Sequence, residues 1–365
     1  MLWRLKSRLR QLRDALQPMR ARGWSVASSL LVHIPAAFAL RAWRVLAQPV
    51  NGGLIQTVFN RPRFASFERQ LESSGLPRFY VIVMPFTLHF LLPCLALLRR
   101  HAEVVVLING ARRWERRLLR DRFPALPIFD LRTLPYSSAA HGDVINLLLG
   151  GCRGGFGLID HDCYVFDATL FEKLTPAGDE CLLALFGEAN ASMGVAFPLT
   201  YFMYFNTGAL RTLMRRHGVN ARIYREAPAG VRDAMARAGL TTDSHWKSYH
   251  RFYDTLHVLL AVALAEGLKY RFLSSAEKLP AMHVGGTSIG THHAKSLHAL
   301  YLHLRFLELL GDPVLTRRYA FLTAPLRSSA EALARGGASG PQWQGLPVLE
   351  TLIGRLRDTL ETPSG

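Results

Sequence analysis

The sequence predicts an α/β protein, a mostly parallel central sheet flanked by helices with helical extensions at both ends. Two observations carry this reading. From about Arg78, short continuous apolar runs alternate with helix-length segments, and strands that are apolar throughout belong to parallel sheets covered on both faces. The chain's 365 residues, 49% of them apolar, are also enough to bury the core such a sheet needs.

Residues 1–75 read as a basic, amphipathic helical region. Arg4, Lys6, Arg8, Arg10, Arg13, Arg20, Arg22, Arg41 and Arg44 stand against a single acid, Asp14, in the first fifty residues of a chain whose formal net charge is +17. Leu2, Leu5, Leu9, Leu12 and Leu16 recur at spacings of three and four, which draws one apolar stripe along a helix. Such a helix either lies in a membrane interface, arginines on anionic headgroups, or packs on its own domain with its basic face in water. No nucleic-acid-binding fold or stacking motif accompanies the charge, so nucleic acid is not an expected partner. Residues 24–40 are barely long enough to span a bilayer and contain serines, His33 and Pro35. They are read as neither a transmembrane helix nor a secretory signal.

Residues 76–328 read as the main domain. Strands are expected over 78–86, 103–111 and 126–131, and helices over 87–101, 112–123 and 143–152. The next strand lies in "GGFGLIDHDCYVFDATLFEKL", residues 154–174. Beyond Pro176 the alternation is irregular: a strand over 192–198, a strand, turn and helix over 201–218, and helices over 249–267 and 297–311. Residues 329–365 read as a linker and a last helix, whose Leu349, Leu352, Ile353, Leu356 and Leu360 share one face that docks or dimerises. Cys94, Cys152, Cys163 and Cys181 have no metal-ligand spacing and read as free thiols of a reducing compartment.

The chemistry concentrates at Asp160-His161-Asp162. Ionised carboxylates at the end of an apolar strand are costly to bury without partners. In an extended segment Asp160 and Asp162 point one way and His161 the other. Two oxygens on one side suit Mn²⁺ or Mg²⁺, which also binds substrate phosphates. The bland alternative is a pair of solvated turn carboxylates. Ligands of open α/β sheets bind outside the carboxyl ends of the strands, where these residues stand.

The βαβ series leading to Asp160-His161-Asp162, followed by "YFNTGALRTLM" and "HVGGTS", resembles the nucleotide-diphospho-sugar glycosyltransferases of the GT-A fold over about residues 79–296. The resemblance implies an Asp-x-Asp that holds a metal on the donor diphosphate, with Asp160 and Asp162 as ligands and His283 completing the site. It also implies that Pro85 and Phe86 lie near the base and ribose, as does Asn109, where many members carry an aspartate. Asn206 and Gly208 of "FNTG" would receive the donor sugar or acceptor, and Asp254, at a helix start, would deprotonate the attacking hydroxyl in an inverting enzyme. Gly285 and Gly286 form a turn whose N–H groups can cradle a phosphate.

Each residue has a plainer reading: Asn109-Gly110 and Gly285-Gly286 as ordinary turns, His283 as a surface histidine, Asp254 as a helix-dipole partner. Asp243 and Glu188 are weaker rivals for the base. The implied function is metal-dependent transfer of a sugar to a glycan or lipid-linked acceptor, with the cytoplasmic face of a membrane and envelope polysaccharide synthesis as the expected setting. The alternative is a catalytically degenerate, membrane-associated scaffold. An HD-type phosphohydrolase is disfavoured because its His-Asp sits on helices, and a nucleotidyltransferase because "MPFTLHF" has no Gly-rich signature.

Overall fold

The computed structural model describes residues 25–185, 187–190, 195–237, 253–273, 281–285, 287, 297–323 and 346–361. It opens with one continuous helix, α1 (Val26–Gln70). The expected helix over residues 2–16 lies outside the described residues. Eight strands and helices then alternate as β1 (Arg78–Val83), α2 (Leu88–Leu98), β2 (Glu103–Ile108), α3 (Arg113–Arg122), β3 (Ile128–Asp130), α4 (His141–Gly151), β4 (Phe156–Asp160) and β5 (Cys163–Val165). There follow α5 (Thr169–Glu172), β6 (Glu180–Ala184), β7 (Gly187–Asn190), β8 (Val195–Pro198), β9 (Phe202–Phe205) and α6 (Thr207–His217). The last elements are α7 (Arg232–Arg237), α8 (His257–Ala265), β10 (Lys269–Phe272), β11 (Ala281–His283), α9 (Leu297–Leu310), α10 (Pro313–Arg318), α11 (Ala320–Thr323) and α12 (Leu346–Glu361).

Seven strands form the central sheet in the order β10-β6-β9-β4-β1-β2-β3. Strands β3, β2, β1 and β4 are mutually parallel, whereas β9 runs antiparallel to both its neighbours, β4 and β6. This mixed, mostly parallel sheet is consistent with a GT-A-like fold. Its continuous apolar strands have the cause inferred from the sequence. Phe79, Val81 and Val83 of β1 pack on one side with α2, α9 and α12, while Tyr80 and Ile82 pack on the other with α4, α6 and α8.

Helix α1 differs from the sequence reading. It is 45 residues long, and its most apolar 18-residue window has a mean hydropathy of 1.4 with 11% buried, so by length and composition it is able to cross a membrane. Residues 24–40 looked too short because the helix continues through the polar stretch that follows, in a π-helical segment at Asn51–Asn60. There Asn51, Gln56 and Asn60, spaced by five and four, share the wide turn's inner face. Asn51 Nδ2 donates to Ser137 Oγ at 2.9 Å, Gln56 Nε2 to the Asp143 carbonyl at 2.8 Å and Asn60 Nδ2 to the Arg132 carbonyl at 3.0 Å. Buried amides thus satisfy backbone groups of the 131–143 loop and fasten the helix to the sheet domain.

Three further expectations take definite form. The segment 192–198 supplies β8, which pairs with β7 in a separate two-stranded sheet. The helix expected over 249–267 begins only at His257, behind Leu256 at φ 71°, so Asp254 precedes it in a turn. At the carboxyl end, Leu349, Leu352, Ile353 and Leu356 are buried in the core that α2 and α9 line. Arg305 of α9 pairs with Glu350 at 2.6 Å. The last helix therefore docks.

Candidate metal and donor site

Strand β4 ends at Asp160, and His161-Asp162 form the turn that sends the chain into β5. β5 pairs antiparallel with β11 so that His283 stands opposite Cys163, and the Val284 N–H donates to the Asp162 carbonyl at 3.1 Å. This short ladder carries a histidine from more than a hundred residues downstream to the carboxylates. Nε2 of His283 lies 3.4 Å from Asp162 Oδ1 and 3.9 Å from Asp160 Oδ2. One ligand atom from each of the three residues falls within 4.8 Å of the others. Two carboxylates and an imidazole are compatible with a divalent cation of the Mn²⁺ or Mg²⁺ type, the imidazole favouring the softer ion.

The side chains around the triad fix it. His161 turns away from the carboxylates, as strand alternation anticipated: Nδ1 is 3.1 Å from the Ile82 carbonyl and Nε2 is 3.1 Å from Thr287 Oγ1. The Thr287 hydroxyl donates to Asp162 Oδ2 at 2.6 Å. The carbonyl and the ionised carboxylate only accept, so with Asp162 charged the chain is satisfied when both His161 nitrogens donate. The ring of Tyr201 stacks on His283 at 4.3 Å and 12°, and the Tyr201 carbonyl accepts from the Asp160 N–H at 2.9 Å. Tyr201 thereby orients one ligand with its ring and another with its backbone.

Electrostatics separate the two carboxylates. Burial and the negative charge of Asp162 push Asp160 up to about 7, against a smaller opposing pull from His283. Burial also opposes ionisation of Asp162, but the charge of His161 and the bonds from His283 and Thr287 outweigh it and hold this carboxyl well below the usual range. His283 is raised: burial lowers it, and the bond to Asp162 together with both carboxylate charges more than compensates. Without a cation the site retains protons near neutrality, as a pair of crowded carboxylates does.

A pH dependence follows. Ligation needs Asp160 ionised and His283 neutral, so cation binding releases a proton from Asp160 below about pH 7, and one from His283 as long as that raised imidazole is protonated. Mn²⁺ affinity measured by isothermal titration calorimetry is expected to rise with pH from about 5.5 through neutrality, by up to about tenfold per unit for each proton released. Affinity that is flat from pH 5.5 to 8 would show that these residues do not bind the ion.

The other expected site residues distribute unevenly. Asn109 and Gly285 line the cavity of about 290 Å³ around the triad, with Ile82, Met84 and His141. Asn109 also clamps the Ala139 backbone, donating through Nδ2 at 2.9 Å and accepting at Oδ1 at 2.8 Å. Gly285, at φ 68°, sits where a side chain would be strained. Pro85 is half-buried. Phe86 is buried against Tyr319 and Phe321 with the Arg112 guanidinium over its ring. It is packed away from that cavity, whose wall at the end of β1 is Met84.

Asn206 and Gly208 need correction. Because β9 is antiparallel to β4, Phe205 pairs with Phe156 while Ile159 pairs with Phe202. The "FNTG" turn is therefore at the opposite edge of the sheet from Asp160. Asn206 there caps α6, accepting from the Ala209 N–H and donating to the Glu180 carbonyl at 3.0 Å. Gly286, Asp243 and the side chain of Glu188 lie outside the described residues. Asp254 lines a second, larger cavity rather than the triad's own.

Residues 57–210 match the family model of the StrH glycosyltransferase N-terminal domain. That match supports a glycosyltransferase family. A solved structure of the bifunctional glycosyltransferase WbbM, in its apo form, aligns at 12% identity over 56% of this chain and 47% of that one, with a TM-score of 0.31. The aligned part spans about half of WbbM, and a likeness this slight adds nothing to the assignment. Among curated proteins none matches.

Two residues of the site went unrecognised in the sequence, His141 and Tyr201. His141 carried no signal, since it begins a helix after a turn. Tyr201 had a weak one, since it precedes an aromatic strand. Thr287, in the same "HVGGTS" segment as His283, holds Asp162 through its hydroxyl.

Proposed function

We propose that the protein is a metal-dependent glycosyltransferase that moves a sugar from a nucleoside-diphosphate donor to an acceptor hydroxyl. The observation that carries this reading is the Asp160–Asp162–His283 triad at the carboxyl ends of the parallel strands. A bound Mn²⁺ or Mg²⁺ would supply charge neutralisation to the departing diphosphate. Asp160, Asp162 and His283 would hold it, with His161, Thr287 and Tyr201 keeping the ligands in place. Asn109, Met84 and Gly285 would line the donor's side of the cavity.

In the transfer, the acceptor oxygen bonds to the anomeric carbon while that carbon's bond to the diphosphate oxygen breaks. The nucleoside diphosphate leaves with the electron pair, and the acceptor's proton passes to a base. Asp254 is our candidate for the base: its Oδ1 accepts from the Thr255 N–H at 2.7 Å, which fixes the carboxylate at the cavity wall. A role in envelope glycan synthesis at a membrane fits the exposed apolar flank of α1 and the basic residues preceding it. Trp43 Nε1 donates to the Pro135 carbonyl at 2.8 Å, so the helix is docked from there on. Residues 26–42, which precede that contact, span about 26 Å of helix, somewhat short of the roughly 30 Å hydrocarbon core. We therefore read α1 as embedded in one face of the membrane.

The test is a thermal-shift screen of UDP-, GDP-, CMP- and dTDP-sugars with and without Mn²⁺. The true donor should raise the melting temperature only with metal present. Asp254→Asn should keep that shift and lose transfer by about a hundredfold or more. No metal-dependent shift with any donor would favour the scaffold reading.

A further inference from the structure

A cavity of about 820 Å³ lies between α1 and the sheet domain. Val45 and Gly52 of α1 form one wall; His141, Arg222, Arg225 and Asp254 form part of the other. His141 also lines the smaller cavity around the triad, so a single imidazole joins the two spaces. Its Nε2 is buried and meets no hydrogen-bond partner among the described residues. Burial, partly offset by Asp254, lowers its pKa to about 4, which keeps the ring neutral, so that it can accept a hydrogen bond from an incoming hydroxyl.

The cavity opens onto an apolar track. Leu31, Phe38 and Val45 are 77%, 65% and 60% exposed. They are spaced by seven residues, about two turns, so they follow one face of α1 to the cavity wall. The helix is held at that wall by close contact: a Cβ on Gly52 would collide with the Asp143 carboxylate, and Arg222 binds both that carboxylate and the Gly52 carbonyl. Arg222 is committed to this clamp. Arg225, beside it, is exposed and forms no ion pair among the described residues, so it brings a positive charge to the end of the track.

An apolar track, a cation at its end and a polar chamber leading to the metal triad together describe an amphiphile. We propose that this cavity binds an acceptor carried on a phosphorylated lipid. The hydrocarbon chain lies along Leu31, Phe38 and Val45, the phosphate meets Arg225, and the polar head enters toward His141. This deepens the glycosyltransferase reading and rests on it for the word acceptor.

Farnesyl monophosphate tests it on the full chain in detergent micelles, with farnesol and inorganic phosphate as single-feature controls. Farnesyl monophosphate is expected to bind at least about tenfold more tightly than either control. Arg225→Glu and Val45→Asp, both at exposed positions, should each weaken it by about tenfold or more, while Mn²⁺-dependent nucleotide binding is unchanged. Equal affinity for farnesol, unchanged affinity in Arg225→Glu, or displacement by an equal concentration of phosphatidylglycerol would overturn the proposal. Tight, Arg225-dependent binding in a protein that binds no metal or nucleotide would uphold the lipid site and defeat the transferase reading, so the two fail separately.

Discussion

Asp162→Asn is expected to reduce sugar transfer by at least about a hundredfold while leaving the fold in place. Even residues that only orient a metal ligand cost 10- to 100-fold when removed, and Asp162 is itself a candidate ligand. Its carboxylate is 5% exposed and receives Thr287 at 2.6 Å, with His283 3.4 Å away. An asparagine oxygen still accepts from one of these donors, so the turn keeps its shape. Two charge effects oppose each other in the metal-free protein. Asp162, held below its ordinary pKa, stabilises the fold above pH 4 and loses that contribution as pH falls. Its charge, however, adds to the burial that raises Asp160, an opposing effect that the substitution relieves. Circular dichroism and melting temperature should therefore stay close to wild type, and the Mn²⁺-induced rise in melting temperature should vanish. A variant that keeps this rise and its turnover would remove Asp162 from the metal site.

Glu115→Ala is expected to destabilise the protein by about 3–5 kcal/mol, the range for leaving several buried donors without an acceptor. Glu115 lies in the first turn of α3 and is 1% exposed. Its carboxylate accepts from the Phe86 N–H at 2.7 Å, the Arg112 N–H at 2.7 Å and the Tyr319 hydroxyl at 2.6 Å. Phe86 also sits at φ 66°, a left-handed conformation that a bulky residue holds only when its surroundings impose it. One side chain thus joins the loop after β1, the start of α3 and the residue between α10 and α11. Urea denaturation at constant m-value measures the loss. Glu115→Gln should recover part of it, and a cost below about 1 kcal/mol for the alanine variant would contradict this account.

Glu115 also marks a limit of sequence reading. In "RRWERRLLRDRF" it reads as one acid in a solvated basic helix, and nothing local says that three backbone and hydroxyl donors converge on it. Phe86 illustrates the same limit from the other side. Its place after the first strand suggested a nucleotide contact, yet Glu115, Arg112 and Tyr319 occupy its backbone and ring. Local sequence gives a residue's position along a strand. It does not give the long-range partners that decide whether its side chain is free for a ligand.

The parallel half of the sheet was legible because its signal is local. Runs such as "FYVIV" and "VVVLI" are apolar at every position, and only a strand covered on both faces tolerates that. The pairing of Asp160 with Asp162 and the opposite course of His161 were legible for the same reason, since they follow from side-chain alternation. The antiparallel insertion of β9 was not. Its four residues pair with β4 in a direction set by the whole connection between them, and that direction sent Asn206 and Gly208 to the far edge of the sheet. The β5–β11 ladder, likewise, is three residues long on each side, too short to announce itself, yet it alone brings His283 to the carboxylates. The sequence by itself determined the layered α/β architecture and the shared side of Asp160 and Asp162, because burial on both faces and strand alternation are properties of neighbouring residues. Tertiary structure decided the meeting of His283 with these carboxylates, the joining of two cavities at His141 and the docking of α1, because each depends on contacts between segments far apart in the chain, which no local pattern encodes.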